Sequence, residues 1–173
     1  MSVNLSPVQL NDPQLVPIVR DALTGAGVDA QQLVLEVTEG VLVTDELVAV
    51  STFRRLRSLG VRIAVDDFGT GYSSLSYLRR FPIDVLKVDQ AFVAGLGEGP
   101  EAVALARAIV DIGRTLHLAT VAEGVEDARQ ADTLRELSCQ MAQGYFFARP
   151  MAADDMAALA VSRVLPVPAG RRR

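Results

Sequence analysis

The stretch that decides the fold is Val61-Arg62-Ile63-Ala64-Val65-Asp66-Asp67-Phe68-Gly69-Thr70-Gly71-Tyr72-Ser73-Ser74. Its first half is a short apolar run typical of a buried strand, and its second half is a glycine-rich turn. Two adjacent aspartates, Asp66 and Asp67, stand at the junction. Neighbouring carboxylates raise each other's pKa, so two ionised ones side by side indicate a bound cation. We therefore expect a strand whose end carries a divalent-metal site.

The same alternation of a short apolar run and a longer helical pattern extends in both directions along the chain. The candidate strands are residues 3–5, 33–37, 62–65, 85–88, 119–122 and 145–147. The candidate helices are residues 13–26, 45–59, 74–81, 100–116 and 127–137. Gly113 falls inside the fourth helix and weakens its predicted continuity. Strands separated by helices pair in parallel, so the sequence predicts an α/β fold with a mainly parallel sheet.

Length and composition favour one globular domain, because half of the 173 residues are hydrophobic. The formal net charge of -4 disfavours DNA and anionic membranes as partners. Cys139 is the only cysteine, which excludes an internal disulfide and a zinc site built from cysteines. The sequence shows no signal peptide and no apolar run of the roughly 18 to 20 residues that a membrane span needs. We expect a cytoplasmic protein without membrane contact.

Polar side chains of one chemical kind recur around the candidate strand ends, the last of them directly before the sixth strand. They are Asn4, Glu36, Glu39, Asp66, Asp67, Lys87, Asp89, Glu123, Glu126 and Gln143. In a barrel of parallel strands the carboxyl ends meet at one mouth, so residues far apart in sequence form one site. Oxygen ligands without histidine or cysteine indicate Mg²⁺ or Mn²⁺.

Each of these residues, taken alone, also has a purely structural interpretation. Asn4 could be a turn former, Asp67 a helix cap, and Glu36 a solvated charge on a strand face. Lys87 and Asp89 could form a surface ion pair, which contributes little stability. Their recurrence at successive strand ends favours a functional site.

Six runs of the chain, in a fixed order, carry a family resemblance. They are Val3-Asn4-Leu5-Ser6, Leu35-Glu36-Val37-Thr38-Glu39, Asp66-Asp67-Phe68-Gly69-Thr70-Gly71-Tyr72-Ser73-Ser74-Leu75, Leu86-Lys87-Val88-Asp89, Ala122-Glu123-Gly124-Val125-Glu126 and Gln143-Gly144-Tyr145. Over residues 2–153 the chain resembles the EAL domain family. The resemblance implies a variant (βα)₈ barrel of the TIM type. It also implies a bacterial cyclic di-GMP phosphodiesterase that forms linear pGpG with two Mg²⁺ or Mn²⁺ ions.

The resemblance implies metal ligands at four positions. Asn4, Glu36 and Asp66 would hold one ion, and Asp67 would help to hold the second. Paired ions of this kind lie about 3.5 to 4 Å apart, a spacing that requires a bridging acidic residue such as Asp66 or Asp67. Asp89 is a further candidate for the site.

The remaining roles that the resemblance implies concern proton transfer and loop order. Glu123 resembles the proposed general base, and Lys87 and Glu126 would lie near the attacking water and the metals. Gln143 resembles the glutamine that completes the mouth. Glu39 matches a glutamate that anchors the loop 68–74.

The chain also departs from the family pattern. It contains no Glu-x-Leu-x-Arg stretch, which implies that one metal ligand and one arginine are absent. Six strands are found where a closed barrel has eight. We therefore expect a partial EAL domain over residues 1–162, lacking the first strands and helices, and a flexible basic tail over 163–173. The exposed edges of such a sheet predict a homodimer, or association with the missing N-terminal part of a longer protein.

Three functions stay open from the sequence. The first is a metal-dependent cyclic di-GMP phosphodiesterase that is impaired as this chain stands. The second is a non-catalytic module that binds cyclic di-GMP or a protein partner. The third is another metal-dependent barrel hydrolase or lyase that shares only carboxylates at its strand ends.

Overall fold

The fold is an open sheet of six parallel strands. The computed structural model describes residues 1–41, 46–69 and 75–162. The strands are β1 (Ser2–Asn4), β2 (Val34–Thr38), β3 (Arg62–Phe68), β4 (Val85–Val88), β5 (Ala119–Ala122) and β6 (Met141–Ala142). They lie side by side in chain order and every pairing is parallel. The predicted α/β class and the six strands of a partial barrel are confirmed.

Helices connect the strands at nearly the predicted positions. The described helices are α1 (Pro7–Leu10), α2 (Leu15–Ala26), α3 (Glu46–Ser58), α4 (Leu75–Arg80), α5 (Gln90–Ala94), α6 (Pro100–Thr115), α7 (Ala128–Glu136) and α8 (Ala153–Ser162). The five predicted helices are confirmed to within two residues at either end, whereas α1, α5 and α8 were not predicted. None of the described helices combines the length and the apolar character needed to cross a membrane. The predicted tail, 163–173, lies outside the described residues.

Local hydrogen bonds explain where several helices begin. Ser6 and Gln9 form a reciprocal capping box at the start of α1, and Asp127 and Gln130 form a second one at the start of α7. The Asp89 carboxylate accepts a hydrogen bond from the backbone N–H of Ala91 and caps α5. These caps satisfy backbone donors that the first turn of a helix leaves without a partner.

The helix α6 is continuous through Gly113, although the sequence predicted that this glycine would weaken it. A Cβ at this position would lie 2.4 Å from Cγ2 of Thr120 on β5. The glycine therefore allows the helix to approach the sheet closely, which outweighs its weak helix propensity.

The two faces of the sheet are packed differently. On the outer face, Ile63 and Leu86 join helix residues such as Phe53 in the main hydrophobic core. On the inner face, a second and smaller cluster contains strand residues alone: Val34, Ala64 and Val85, with Ala119 and Val121 packed against them. The inner face also borders a cavity of about 360 Å³. This is the arrangement of a half-barrel whose helices lie outside.

The edge strands of the sheet are β1 and β6. All three residues of β1 are exposed, including Val3, and Met141 of β6 is exposed as well. The apolar side chains at both edges thus face solvent in the described part of the chain.

The predicted sixth strand at residues 145–147 is wrong. The sixth strand is β6, and the chain turns after it at Gly144, where φ is +154°. The Phe146 and Phe147 rings, which made the segment look like a strand, instead pack against the main core from this turn. Gln143 therefore directly follows the last strand, as Glu123 directly follows β5.

Candidate metal centre

Lys87 is the centre of a cluster of carboxylates from three other strand ends. Its ammonium Nζ lies 2.6 Å from Glu36 Oε2, 2.9 Å from Asp66 Oδ1 and 2.6 Å from Glu123 Oε1. The lysine is only 4% exposed. Three ammonium hydrogens meet three acceptors, so the charge is fully paired in a buried position. The alternative interpretations of Lys87 as a surface partner of Asp89 and of Glu36 as a solvated charge are therefore wrong.

The parallel sheet explains why these side chains meet. Glu36 on β2 and Lys87 on β4 occupy the third position of their strands, Asp66 lies near the end of β3, and Glu123 directly follows β5. The backbone ladder continues past β5, because the Glu123 N–H donates to Val88 O at 3.1 Å. Carboxyl ends of parallel strands share one edge, as the sequence predicted.

The paired aspartates interrupt the regular geometry of β3. The register between β3 and β4 shifts between Val65 and Phe68, and Asp67 has a φ of +54°. Aspartate tolerates this left-handed conformation better than most residues. The Asp67 N–H donates to Asp66 Oδ1 at 3.1 Å, which stabilises the turn. The irregularity presents two consecutive carboxylates at the mouth, where a regular strand would place them on opposite faces.

The electrostatics of the cluster reflect an excess of negative charge. Burial raises the pKa of Asp67, and the Asp66 charge and a hydrogen bond with Asp89 raise it further. Burial also raises the pKa of Glu123, although the contact with Lys87 opposes this effect. For Lys87, burial lowers the pKa, but hydrogen bonds to Glu123, Glu36 and Asp66 outweigh it and hold the pKa above its ordinary value. The lysine therefore stays charged.

Gln143 supports the position of Glu123. Its side-chain Nε2 donates to Glu123 Oε1 at 2.6 Å, the same oxygen that contacts Lys87. The Gln143 N–H donates to Ala122 O at 2.8 Å, so the residue is fixed by the sheet on both its backbone and its side chain. Glu123 is thus oriented by two donors from neighbouring strands.

Asn4 and Glu39 lie at the border of the cluster. Asn4, on the edge strand β1, is exposed and is paired in register with Glu36. Glu39 is 6% exposed, and its Oε2 accepts a hydrogen bond from the Gly69 N–H at 3.2 Å. This contact ties Glu39 to the start of the glycine-rich turn. Residues 70–74 of the predicted anchored loop lie outside the described residues.

Glu126 is separate from the Lys87 cluster. Its side chain is exposed, and the structure gives it no hydrogen bond or ion pair with the cluster among the described residues. It lines a cavity of about 470 Å³ next to Gln143. Tyr145 and Arg149 line the same cavity, with the guanidinium carbon 4.6 Å from the centre of the tyrosine ring. Sequence reasoning missed both residues, because the Tyr145 segment was taken as a strand.

The donor set fits a hard divalent cation. Ligand oxygens of Asp66, Asp67 and Glu123 lie within 4.8 Å of one another, the one such group found in the described part of the chain. Glu36, which contacts Lys87, and Asp89, which contacts Asp67, bring the carboxylates of the site to five, against the single ammonium group of Lys87. Oxygen donors with this surplus of charge match Mg²⁺, Mn²⁺ or Ca²⁺ rather than zinc.

Comparison with known proteins identifies the family. The model of the EAL domain matches residues 1–150. The chain belongs to the EAL domain family. This domain has a TM-score of 0.91 to the EAL domain of Mycobacterium smegmatis DcpA, at 39% identity, over 95% of this chain and 74% of that one. The family and the barrel-type fold predicted from the sequence are confirmed.

Relatives of this EAL chain carry names that describe activity and ligands. The cyclic di-GMP phosphodiesterase NbdA of Pseudomonas aeruginosa is 46% identical over 151 residues, which are 87% of this chain and 19% of NbdA. Klebsiella pneumoniae BlrP1, solved with manganese and cyclic di-GMP and also with calcium, has a TM-score of 0.80 at 34% identity, over 86% of this chain and 38% of that one. The chain spans about a fifth of the length of the curated relatives it matches.

Proposed function

We propose that this chain forms the metal-binding and nucleotide-binding part of a cyclic di-GMP phosphodiesterase that produces linear pGpG. The observation that carries the proposal is the convergence of Glu36, Asp66 and Glu123 on one buried lysine at the strand ends. Relatives named as cyclic di-GMP phosphodiesterases, at 42 to 46% identity, support the substrate class.

Two ions, Mg²⁺ or Mn²⁺, would be held by four residues of the site. Asn4, Glu36 and Asp66 would bind one, and Asp67 would help to bind the other. When bound, such ions activate water and neutralise the phosphate oxygens. Hydrolysis of an anionic diester needs both effects. The surplus of carboxylates over cations around Lys87 supports this assignment.

The chain's own residues would supply proton transfer and orientation. Glu123 would accept the proton of the attacking water, a role that a raised pKa favours. Gln143 and Lys87 hold Glu123 Oε1 and so fix the orientation of that carboxylate. Asp89 would position Asp67 while it caps α5.

The cavity beside Gln143 would accept one guanine base of the substrate. Its volume of about 470 Å³ suits a group of this size, and the Tyr145 ring and the Arg149 guanidinium offer flat surfaces for stacking. Glu126 would contribute a polar contact from the wall of this cavity.

The test is incubation of the purified chain with Mn²⁺ and cyclic di-GMP, followed by chromatographic separation of the nucleotides and by calorimetric titration. Formation of pGpG supports the phosphodiesterase. The absence of both saturable binding and product would contradict the proposal. A Glu123→Gln variant that still forms pGpG would remove Glu123 from the role of general base.

A second candidate is a non-catalytic module that binds cyclic di-GMP. It is favoured by the ion pairs of Lys87 with Glu36, Asp66 and Glu123, which already neutralise part of the negative charge that would attract a catalytic metal. Saturable nucleotide binding without pGpG would support this candidate. The predicted cytoplasmic location rests on the sequence alone, and homodimerisation through the exposed edge strands is a further proposal.

A further inference from the structure

Lys87 is the only lysine in the sequence. Apart from His117, all of the other basic residues are arginines. It is buried, and its ammonium contacts Glu36 Oε2, Asp66 Oδ1 and Glu123 Oε1. Glu36 and Asp66 are residues that the proposed function assigns to a metal ion. Asp66 and Glu123 also belong to the group of carboxylates that could hold an ion.

We propose that Lys87 is a built-in cation that competes with the divalent ion for these carboxylates. This inference rests on the proposed metal site. Each of the three carboxylates has a second oxygen, so the ammonium and a divalent ion could share the same carboxylates, but their like charges would then repel each other at a distance of a few ångström. Metal binding would therefore weaken the contact of Lys87 with at least one of its three partners.

The chemistry of lysine suits this role better than that of arginine. Buried carboxylates without a cation strongly destabilise a fold, so a resident cation keeps the site assembled before metal binds. A lysine ammonium is a compact charge on a flexible stem, and it can withdraw from one oxygen while it keeps the others. An arginine would bind the same carboxylates through a rigid, planar fork. Lys87 would thus preform the site and set the affinity for metal.

The first experiment measures Mn²⁺ affinity of the full chain by calorimetry after treatment with a chelator. Lys87→Met should bind Mn²⁺ roughly tenfold or more tightly than the wild type, because a positive charge beside the ion is removed. The matched control is Arg57→Met, which removes the partner of Asp84 at 2.8 Å, outside the carboxylate cluster. This control should leave the Mn²⁺ affinity unchanged. Equal or weaker binding by Lys87→Met would overturn the inference.

The second experiment uses the wild type and so does not depend on the folding of the variant. Protein labelled with ¹⁵N-lysine and uniform ¹³C in other residues gives one side-chain ammonium signal, that of Lys87. Hydrogen-bond scalar couplings from its Nζ to the carboxylate carbons should report three partners without metal. Saturating Mg²⁺ should abolish at least one coupling. Retention of all three couplings would refute competition.

Failure of this inference and failure of the proposed function give different results. If the wild type binds no Mn²⁺ and no Mg²⁺, the proposed metal site fails, and the competition fails with it. If the wild type binds metal while the three couplings persist, only the competition fails. Tighter binding by Lys87→Met together with loss of a coupling in the wild type supports both.

Discussion

The substitution Gly144→Ala tests how the packing of the fold supports the site, because Gly144 packs against Val125 and is adjacent to Gln143. A Cβ at Gly144 would lie 2.2 Å from the backbone oxygen of Val125, 2.3 Å from its nitrogen and 2.8 Å from its carbonyl carbon. The two backbones would have to separate by about 0.8 Å to reach even 3.0 Å. Separation would break the hydrogen bonds Val125 N–H to Gln143 O, at 3.0 Å, and Phe146 N–H to Val125 O, at 2.9 Å.

The expected loss of stability follows from these contacts. Overpacking costs about 1 to 3 kcal/mol, each lost backbone hydrogen bond about 1 kcal/mol, and a non-glycine residue at a positive φ adds about 1 kcal/mol or more. We expect Gly144→Ala to lower the free energy of unfolding by about 3 kcal/mol or more, measured by urea titration with circular dichroism. Because Gln143 is adjacent, the variant should also weaken Mn²⁺ binding.

The matched control is Gly25→Ala. Gly25 lies inside α2, and a Cβ there would meet nothing within 4 Å. This variant should be more stable than the wild type by about 0.5 to 1 kcal/mol, because alanine favours the helix. The reasoning is refuted if Gly144→Ala unfolds within about 1 kcal/mol of the wild type.

Three further predictions concern charge and assembly. Glu123→Gln should abolish pGpG formation and leave cyclic di-GMP binding intact, as measured by chromatography and calorimetry; unchanged turnover would contradict it. Asp67 has a raised pKa, so its contribution to stability is present below its ordinary value of 3.8 and is lost as the pH rises through the folded-state pKa. Without metal, Asp67→Asn should therefore lose less stability than the wild type between about pH 4 and pH 7 in urea titrations; parallel curves would argue against it. The double variant Val3→Lys and Met141→Lys should convert a dimer to a monomer in light scattering, because charged side chains block edge pairing; a wild type that is already monomeric would exclude the dimer.

The sequence predicted the strand ends well, because short β-branched runs bounded by polar residues have few other interpretations. Glu36, Lys87 and Glu123 were chosen as candidates for that reason, and the parallel order of the strands brings them together. The partners of Lys87 could not be predicted in detail. Which oxygens it contacts depends on the relative register of four strands, and register is not encoded in any one segment.

The errors have equally local causes. The segment after Gly144 has the aromatic content of a strand, but Phe146 and Phe147 pack against the core from a turn. The helices α1 and α5 are four and five residues long, too short for a periodic pattern, and are defined by the caps at Ser6 and Asp89. Asp89 was predicted only as a candidate for the site, and its role as the cap of α5 was not predicted.

The geometry of the metal centre depends on neighbouring strands rather than on closure of a barrel. Glu36 O accepts from the Leu5 N–H at 2.8 Å, Glu123 is held by β4, and Gln143 is held by β5. Each of these bonds lies between adjacent strands of the described sheet, and none involves the free edge of β1 or β6. The Lys87 cluster should therefore survive changes at those edges. We expect the double variant Val3→Lys and Met141→Lys to retain the Mn²⁺ affinity of the wild type even where it changes the oligomeric state, and a large loss of affinity would show that the edges contribute to the site.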